Sequence, residues 1–280
     1  MQMLEGADGV KLAADVWGQP GNPPVLLLHG GGQTRHAWKT TGADLAMSDL
    51  YVIALDLRGH GDSDWASDGN YSLAAMVSDL EAVVRTLPTR PAIVGASVGG
   101  SVALLGAGRD DPLCSALILV DVVPRIERDG AMRIVSFMNG SPAGFDSLEE
   151  AADAIAGYLP HRRRPSDLSG LEKNLRREHD GRYRWHWDPR FLEDPQRRLR
   201  ERASLFDAAR HVRVPTLLVR GQMSDVVSID GVREFLAIVP HAEFVDVEGA
   251  GHMVAGDDNN VFASAITDFL SRKLARPARS

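Results

Sequence analysis

The residues whose types and spacing could do chemistry begin with Ser97, set in Gly95-Ala96-Ser97-Val98-Gly99. A G-x-S-x-G between a strand and a helix bends the backbone so tightly that the serine hydroxyl stands clear at the end of a sheet. The flanking glycines leave room where a side chain would strike neighbouring backbone. In a chain with 27 glycines the same pattern also describes a plain turn with a capping serine. A serine hydroxyl is hardly ionised at neutral pH. Acyl transfer would therefore need a base, a group to orient that base, and donors for the oxyanion.

His252 is the candidate base, bracketed by Gly249 and Gly251 after an apolar run, so that its ring can reach over a sheet end. Asp225, five residues beyond Arg220, is the candidate acid that would hold one ring nitrogen protonated and stabilise the imidazolium. Asp121 also ends an apolar run and ranks second. Taken singly, Asp225 reads as well as a turn or N-cap residue, and His252 as a loop histidine bonded to backbone. Together with Ser97, at three separate strand ends, they read as catalytic. The chain order Ser, Asp, His belongs to one hydrolase fold and differs from two protease orders. For the oxyanion, one backbone N–H would come from Val98, at a helix start where amides are free. The other would come from His29-Gly30-Gly31-Gly32-Gln33, with Gly31 first and Gly32 as the fallback. This turn lacks the lysine and spacing of a phosphate loop, and His29 reads as structural. Asp56, beside Arg58-Gly59-His60-Gly61, reads as support.

Those residues need a sheet beneath them. Apolar runs at Val25–Leu28, Tyr51–Leu55, Ala92–Val94, Ser115–Val120, Val214–Val219 and Ala242–Val247 predict strands. Helical segments are expected near 35–47, 71–87, after Ser97, 230–238 and 259–274, with Ser72 as an N-cap. An N-terminal hairpin turns around Ala7-Asp8-Gly9. Continuous apolar strands alternating with helices imply a parallel sheet covered on both faces, with ligands at the strands' carboxyl ends. From Pro124 to Arg210 no convincing strand is found, only helical stretches near 131–138, 147–158, 169–178 and 194–206. That stretch carries 17 Lys/Arg against 15 Asp/Glu, leaving −9 for the remainder. It reads as a helical cap (124–210) inserted in a core of 1–123 and 211–280. Its Arg162-Arg163-Arg164 run reads as a solvated face, with attraction of an acidic substrate as the functional alternative.

The 280 residues are 44% apolar and carry a net charge of −7. That argues against nucleic acid and against an anionic membrane surface as partners. No signal peptide and no membrane-spanning run is seen. The single cysteine, Cys114, cannot form an internal disulfide, so a reducing, cytoplasmic setting fits. A homodimer is left open.

The segments HGGGQTRHAW (29–38), DLRGHGDSD (56–64), GASVGG (95–100), GQMSD (221–225) and GAGH (249–252) resemble the α/β-hydrolase family over nearly the whole core. The resemblance implies an eight-stranded, mostly parallel sheet with a helical lid after the sixth strand and no cofactor. It points to capped members that act as esterases, lactonases, carbon–carbon bond hydrolases or non-haem peroxidases. Epoxide hydrolases and haloalkane dehalogenases differ at the nucleophile, an Asp where this chain has Ser97. The expected function is hydrolysis of a small carboxylic ester or lactone through an acyl-enzyme. Trp38, Met223, Met253, Trp185 and Trp187 are candidate pocket residues, with packing as the alternative for the tryptophans. Carbon–carbon hydrolysis or perhydrolysis would use the same residues. A non-catalytic receptor on this fold is a further reading, disfavoured because a receptor needs no base.

Overall fold

The computed structural model describes residues 1–158, 168–193, 195–252 and 259–274. Strands β1 (Gln2–Glu5) and β2 (Lys11–Trp17) form the N-terminal antiparallel hairpin. β3 (Pro24–Leu28), β4 (Tyr51–Leu55), β5 (Ala92–Ala96) and β6 (Ala116–Val120) follow, alternating with helices α1 (Lys39–Ala46), α2 (Leu73–Arg85) and α3 (Val98–Ala107). The chain then leaves the sheet through α4 (Arg128–Asn139), α5 (Leu148–Tyr158), α6 (Ser169–Glu172), β7 (Leu175–Arg177), β8 (Tyr183–Trp185) and α7 (Pro195–His211). It returns in β9 (Thr216–Gly221), α8 (Ile229–Ile238), β10 (Glu243–Val247) and α9 (Ala263–Lys273).

The eight strands stand in the order β1-β2-β4-β3-β5-β6-β9-β10, parallel from β4 to β10. Period-two alternation divides each central strand between two faces. Val25, Leu27, Val94, Ile118, Leu217 and Val219 face α1 and α9, against Leu45, Phe262 and Phe269. Leu26, Leu28, Ile93, Leu117, Leu119 and Leu218 face α2, α3 and α8. Each such side chain, fully removed from water, contributes about 1.5–3 kcal/mol before the entropic cost of ordering it. Edge strands β1 and β10 are largely exposed or half-buried.

Strand order reverses at β3, which has β4 on one side and β5 on the other. Crevices at such switch points are where open parallel sheets bind ligands. The glycine turn after β3 and Ser97 after β5 both open onto this one.

Three details differ from the sequence expectation. The helix expected over 169–178 stops at Glu172, and β7 pairs with β8 as a small antiparallel ribbon. Both strands are three residues long and arginine-rich, too short for a period to register. Helix α7 lies against α3, with Ala208 backbone covering Gly108, so the end of the inserted segment joins the helical layer of the sheet. Helix 35–47 begins as a 3-10 turn over Arg35–Trp38. The run Arg162–Arg164 lies outside the described residues.

The inserted segment is fastened to the core at Asp188. Tyr71 Oη donates to its Oδ2 at 2.5 Å, and the Asp188 N–H donates to Gly59 O at 2.8 Å. Among the described residues no helix is long and apolar enough to cross a membrane.

Candidate active site

Ser97 sits between β5 and α3 with φ +47° and ψ −115°, a left-handed conformation that costs a non-glycine residue about 1–3 kcal/mol. The glycines around it are obligatory. A Cβ on Gly95 would run into Gly99 O, and one on Gly99 would lie 2.6 Å from both Leu28 O and His29 O. The strain is held by the packing of α3 against β5 and β3, and it leaves Val98 as the first helical amide. Asp121, at the end of β6, is also left-handed, with φ +50°. Ala96 pairs with Val120 in the ladder, so Ser97 and Asp121 leave neighbouring strands side by side.

His252 reaches the crevice from the loop after β10 and is 8% exposed. Its Nδ1 donates to Asp121 Oδ2 at 2.6 Å. That carboxylate is buried and takes two further donors: Ser224 Oγ on Oδ2 at 2.7 Å and Gly221 N–H on Oδ1 at 3.2 Å. With Nδ1 occupied, Nε2 is the ring nitrogen left to accept a proton. No hydrogen bond joins Ser97 Oγ to His252 among the described residues. Catalytic hydrogen bonds of this kind often tighten only when substrate is bound.

The acid expected at Asp225 is corrected by this geometry: the carboxylate facing His252 is that of Asp121. A turn closed by Ser224 N–H to Gly221 O directs the Ser224 hydroxyl inward and the next side chain outward. Asp225 therefore meets Arg133 of α4, which donates to Asp225 Oδ2 through Nε at 3.2 Å and through a second guanidinium nitrogen. Gly130 of the same helix presses against Asp225 O with no room for a Cβ.

The glycine turn after β3 lies against Ser97, since a Cβ on Gly30 would be 3.3 Å from Ser97 Cβ. Gly30 N–H donates to Gln33 Oε1 at 3.0 Å and Gly32 N–H to His60 Nε2 at 3.2 Å. Gly31 N–H has no acceptor among the described residues, and a Cβ on Gly31 would be 3.9 Å from Val98 Cγ1. The fallback donor Gly32 is thus already engaged, while Gly31 lies beside the Val98 side chain. His60 was absent from the sequence-derived candidates, although its place in Arg58-Gly59-His60-Gly61 offered the signal. Burial, with His29 beside it, lowers its pKa to about 3. Burial lowers that of His29 to about 4. Both rings stay neutral, so His60 Nε2 remains an acceptor. His29 Nδ1 donates to Gly30 O at 2.7 Å and its Nε2 accepts from Leu57 N–H at 3.0 Å, a supporting role. Asp56 supports the turn as well, accepting from Arg35 N–H at 2.6 Å and from the Arg35 guanidinium.

Of the expected pocket residues, Trp187 lies at the turn, 3.2 Å from where a Gly32 Cβ would be, with Met138 Cε at 3.1 Å. Trp185 stacks behind it at a ring separation of 4.9 Å. Trp38 is corrected: it is wholly buried on the opposite face of the sheet, among Val25, Leu45 and Phe262. Met223 is 59% exposed on the loop after β9. Met253 lies outside the described residues. Phe191, against Gly31, and Met138 were missed because they come from the inserted segment, where no motif marks them. No group of three or more His, Cys, Asp or Glu able to hold a metal ion occurs among the described residues.

The chain belongs to the alpha/beta hydrolase fold family, whose model matches residues 23–258. It is an enzyme of that hydrolytic class. It is 32% identical to the esterase Rv0045c of Mycobacterium tuberculosis, over 96% of this chain and 90% of that protein. It is 27% identical to a 3-hydroxybutyrate-oligomer hydrolase of Cupriavidus necator, over 90% of each. The crystal structure of E-2-(acetamidomethylene)succinate hydrolase superposes with a TM-score of 0.83 at 24% identity, over 96% of this chain and 98% of that one, a likeness of fold.

Proposed function

We propose that this enzyme hydrolyses small carboxylic esters or lactones through an acyl-enzyme on Ser97, with His252 as base and Asp121 as the orienting acid. The observation that carries the reading is the 2.6 Å hydrogen bond between His252 and Asp121 beside a strained, glycine-flanked serine. The substrate carbonyl enters the switch-point crevice with its oxygen toward the Gly31 and Val98 amides. His252 Nε2 takes the Ser97 proton as Oγ attacks, and the Asp121 carboxylate stabilises the resulting imidazolium through Nδ1–H. The two amides hold the negative charge of the tetrahedral intermediate, and such donors contribute about 3–4 kcal/mol each to transition-state stabilisation. Collapse expels the alcohol, protonated by His252. A water deprotonated by the same nitrogen then releases the acid and restores Ser97.

Met138, Trp187 and Phe191 crowd the glycine turn, which supports a short apolar acyl group. Similarity to an esterase and to an oligoester hydrolase supports ester chemistry. The test is a fluorophosphonate probe together with p-nitrophenyl acetate. Wild type is expected to label at one site and to turn over. Ser97→Ala is expected to do neither while keeping its melting temperature. Labelling that survives in Ser97→Ala overturns the nucleophile.

A further inference from the structure

The turn after β9 touches both Asp121 and the loop that carries His252. Gly221 N–H donates to Asp121 Oδ1 at 3.2 Å, and the Ser224 hydroxyl donates to Asp121 Oδ2 at 2.7 Å. Between these two, Gln222 N–H donates to Val247 O at 2.9 Å and Met223 N–H to Ala250 O at 2.8 Å. Four consecutive residues therefore set where the carboxylate lies relative to the imidazole.

The Ser224 hydroxyl is held to a single use. A hydroxyl has one proton to give and two lone pairs to receive with. Val226 N–H, at 3.3 Å, and Val227 N–H, at 3.1 Å, occupy the oxygen as an acceptor. The proton is left for Asp121. The turn has further anchors of its own. Glu127 N–H donates to Val226 O at 2.8 Å, and Arg220 Nε–H donates to Val227 O at 2.6 Å while its guanidinium pairs with Asp246.

Asp121 depends on such donors. It is 2% exposed, and among the described residues no Lys or Arg pairs with it. A carboxylate taken out of water must be met by hydrogen-bond donors. Its left-handed backbone is kept only by the surrounding structure. Ser224 donates to Oδ2, the same oxygen that receives His252 Nδ1–H at 2.6 Å. With Gly221 on Oδ1 and Ser224 on Oδ2, the plane of the carboxylate is fixed from two sides. With Gly221 alone it would turn about its terminal torsion, which is soft.

We infer that Ser224 is a positioning residue for the reaction, acting through Asp121: its hydroxyl holds Oδ2 where His252 Nδ1 meets it. The inference rests on the reading of Asp121 as the orienting acid. Asp225, one residue on, takes no part, because its carboxylate turns to Arg133.

Steady-state hydrolysis of p-nitrophenyl acetate tests the inference on the full chain, with rates taken per active site titrated by a fluorophosphonate. Ser224→Ala is expected to lower kcat about tenfold while KM changes less than about twofold. Ser224→Thr, which keeps the hydroxyl, is expected to stay within about threefold of wild type. Ser224→Cys, of similar shape with a weak donor, is expected to fall as Ser224→Ala does, and it decides the matter if the alanine variant fails to fold. A role confined to capping the turn would lower the melting temperature and the number of titratable sites, yet leave kcat per site at the wild-type value. That result, with Asp121→Asn inactive, overturns Ser224 and spares the reading of Asp121. An Asp121→Asn variant as active as wild type overturns the reading of Asp121, and the role of Ser224 falls with it. Equal losses in Ser224→Thr and Ser224→Ala also overturn the inference, since the hydroxyl would then not be what matters.

Discussion

Asp121 Oδ2 and His252 Nδ1 lie 2.6 Å apart although 131 residues of chain separate them. The strand order brings them together: β6 is the immediate neighbour of β5, so Asp121 stands beside the strand that leads into Ser97, and the His252 loop arches over from β10. The carboxylate after β9, at Asp225, is drawn away by Arg133.

This relationship separates the two acids in activity. On the proposed mechanism, Asp121→Asn lowers kcat/KM for p-nitrophenyl acetate by about 10^3–10^4, the scale seen when a triad acid is removed. Asp225→Asn changes it less than about fivefold, because that position meets only a surface ion pair. Steady-state assays of both variants decide between them, and a reversed ranking would return the role to Asp225.

On the proposed mechanism His60 is a positioning residue for the oxyanion turn, acting through Gly32. His60→Leu removes the acceptor of the Gly32 N–H and frees the turn to rotate Gly31 away. The expected result is a loss of at least about tenfold in kcat, with KM changed far less. A merely structural role would leave the kcat-to-KM split even and lower only the yield of folded enzyme.

Tyr71→Phe tests the attachment of the inserted segment. It removes a donor from the buried Asp188 carboxylate and the acceptor of the Ala66 N–H, which Tyr71 Oη binds at 2.8 Å. The expected cost is about 1–3 kcal/mol of stability, read as a lowered midpoint in urea.

Stability should also fall on acidification. The folded pKa values of His29 and His60, near 4 and 3, lie below the ordinary unfolded value of 6.5. Below pH 6.5 the unfolded chain takes up protons that the folded one refuses, so each ring's contribution is complete above that pH and declines as pH drops toward its folded pKa. The raised pKa of buried Asp56 works in the opposite sense at the acid end. Melting temperatures measured from pH 7 down to pH 4.5 should decline, and less steeply in His60→Leu. Equal slopes in the two proteins would remove His60 from this account.

Much of the frame is local in the sequence and therefore legible there. The central strands are apolar on both faces, Ser72 caps α2 through its hydroxyl to Ala75 N–H, and glycines mark the elbow because backbone passes within contact of them. The choice of acid was not legible in this way. Asp121 and Asp225 both end strands, and what distinguishes them is lateral: which strand adjoins β5, where Ser224 turns its hydroxyl, and that a helix 92 residues earlier supplies Arg133. Trp38 misled for a related reason, since proximity to the glycine turn in sequence says nothing of which face of the sheet receives the ring. The β7–β8 ribbon and Phe191 depend on packing against the core, and no local period announces them.

On the proposed triad the acid is carried on β6, and the loop Ser224–Val227 is then relieved of chemistry at its second position. Variation at residue 225 would act on the seat of α4, which meets it through Arg133 and Gly130, while the proposed proton-handling groups keep their spacing.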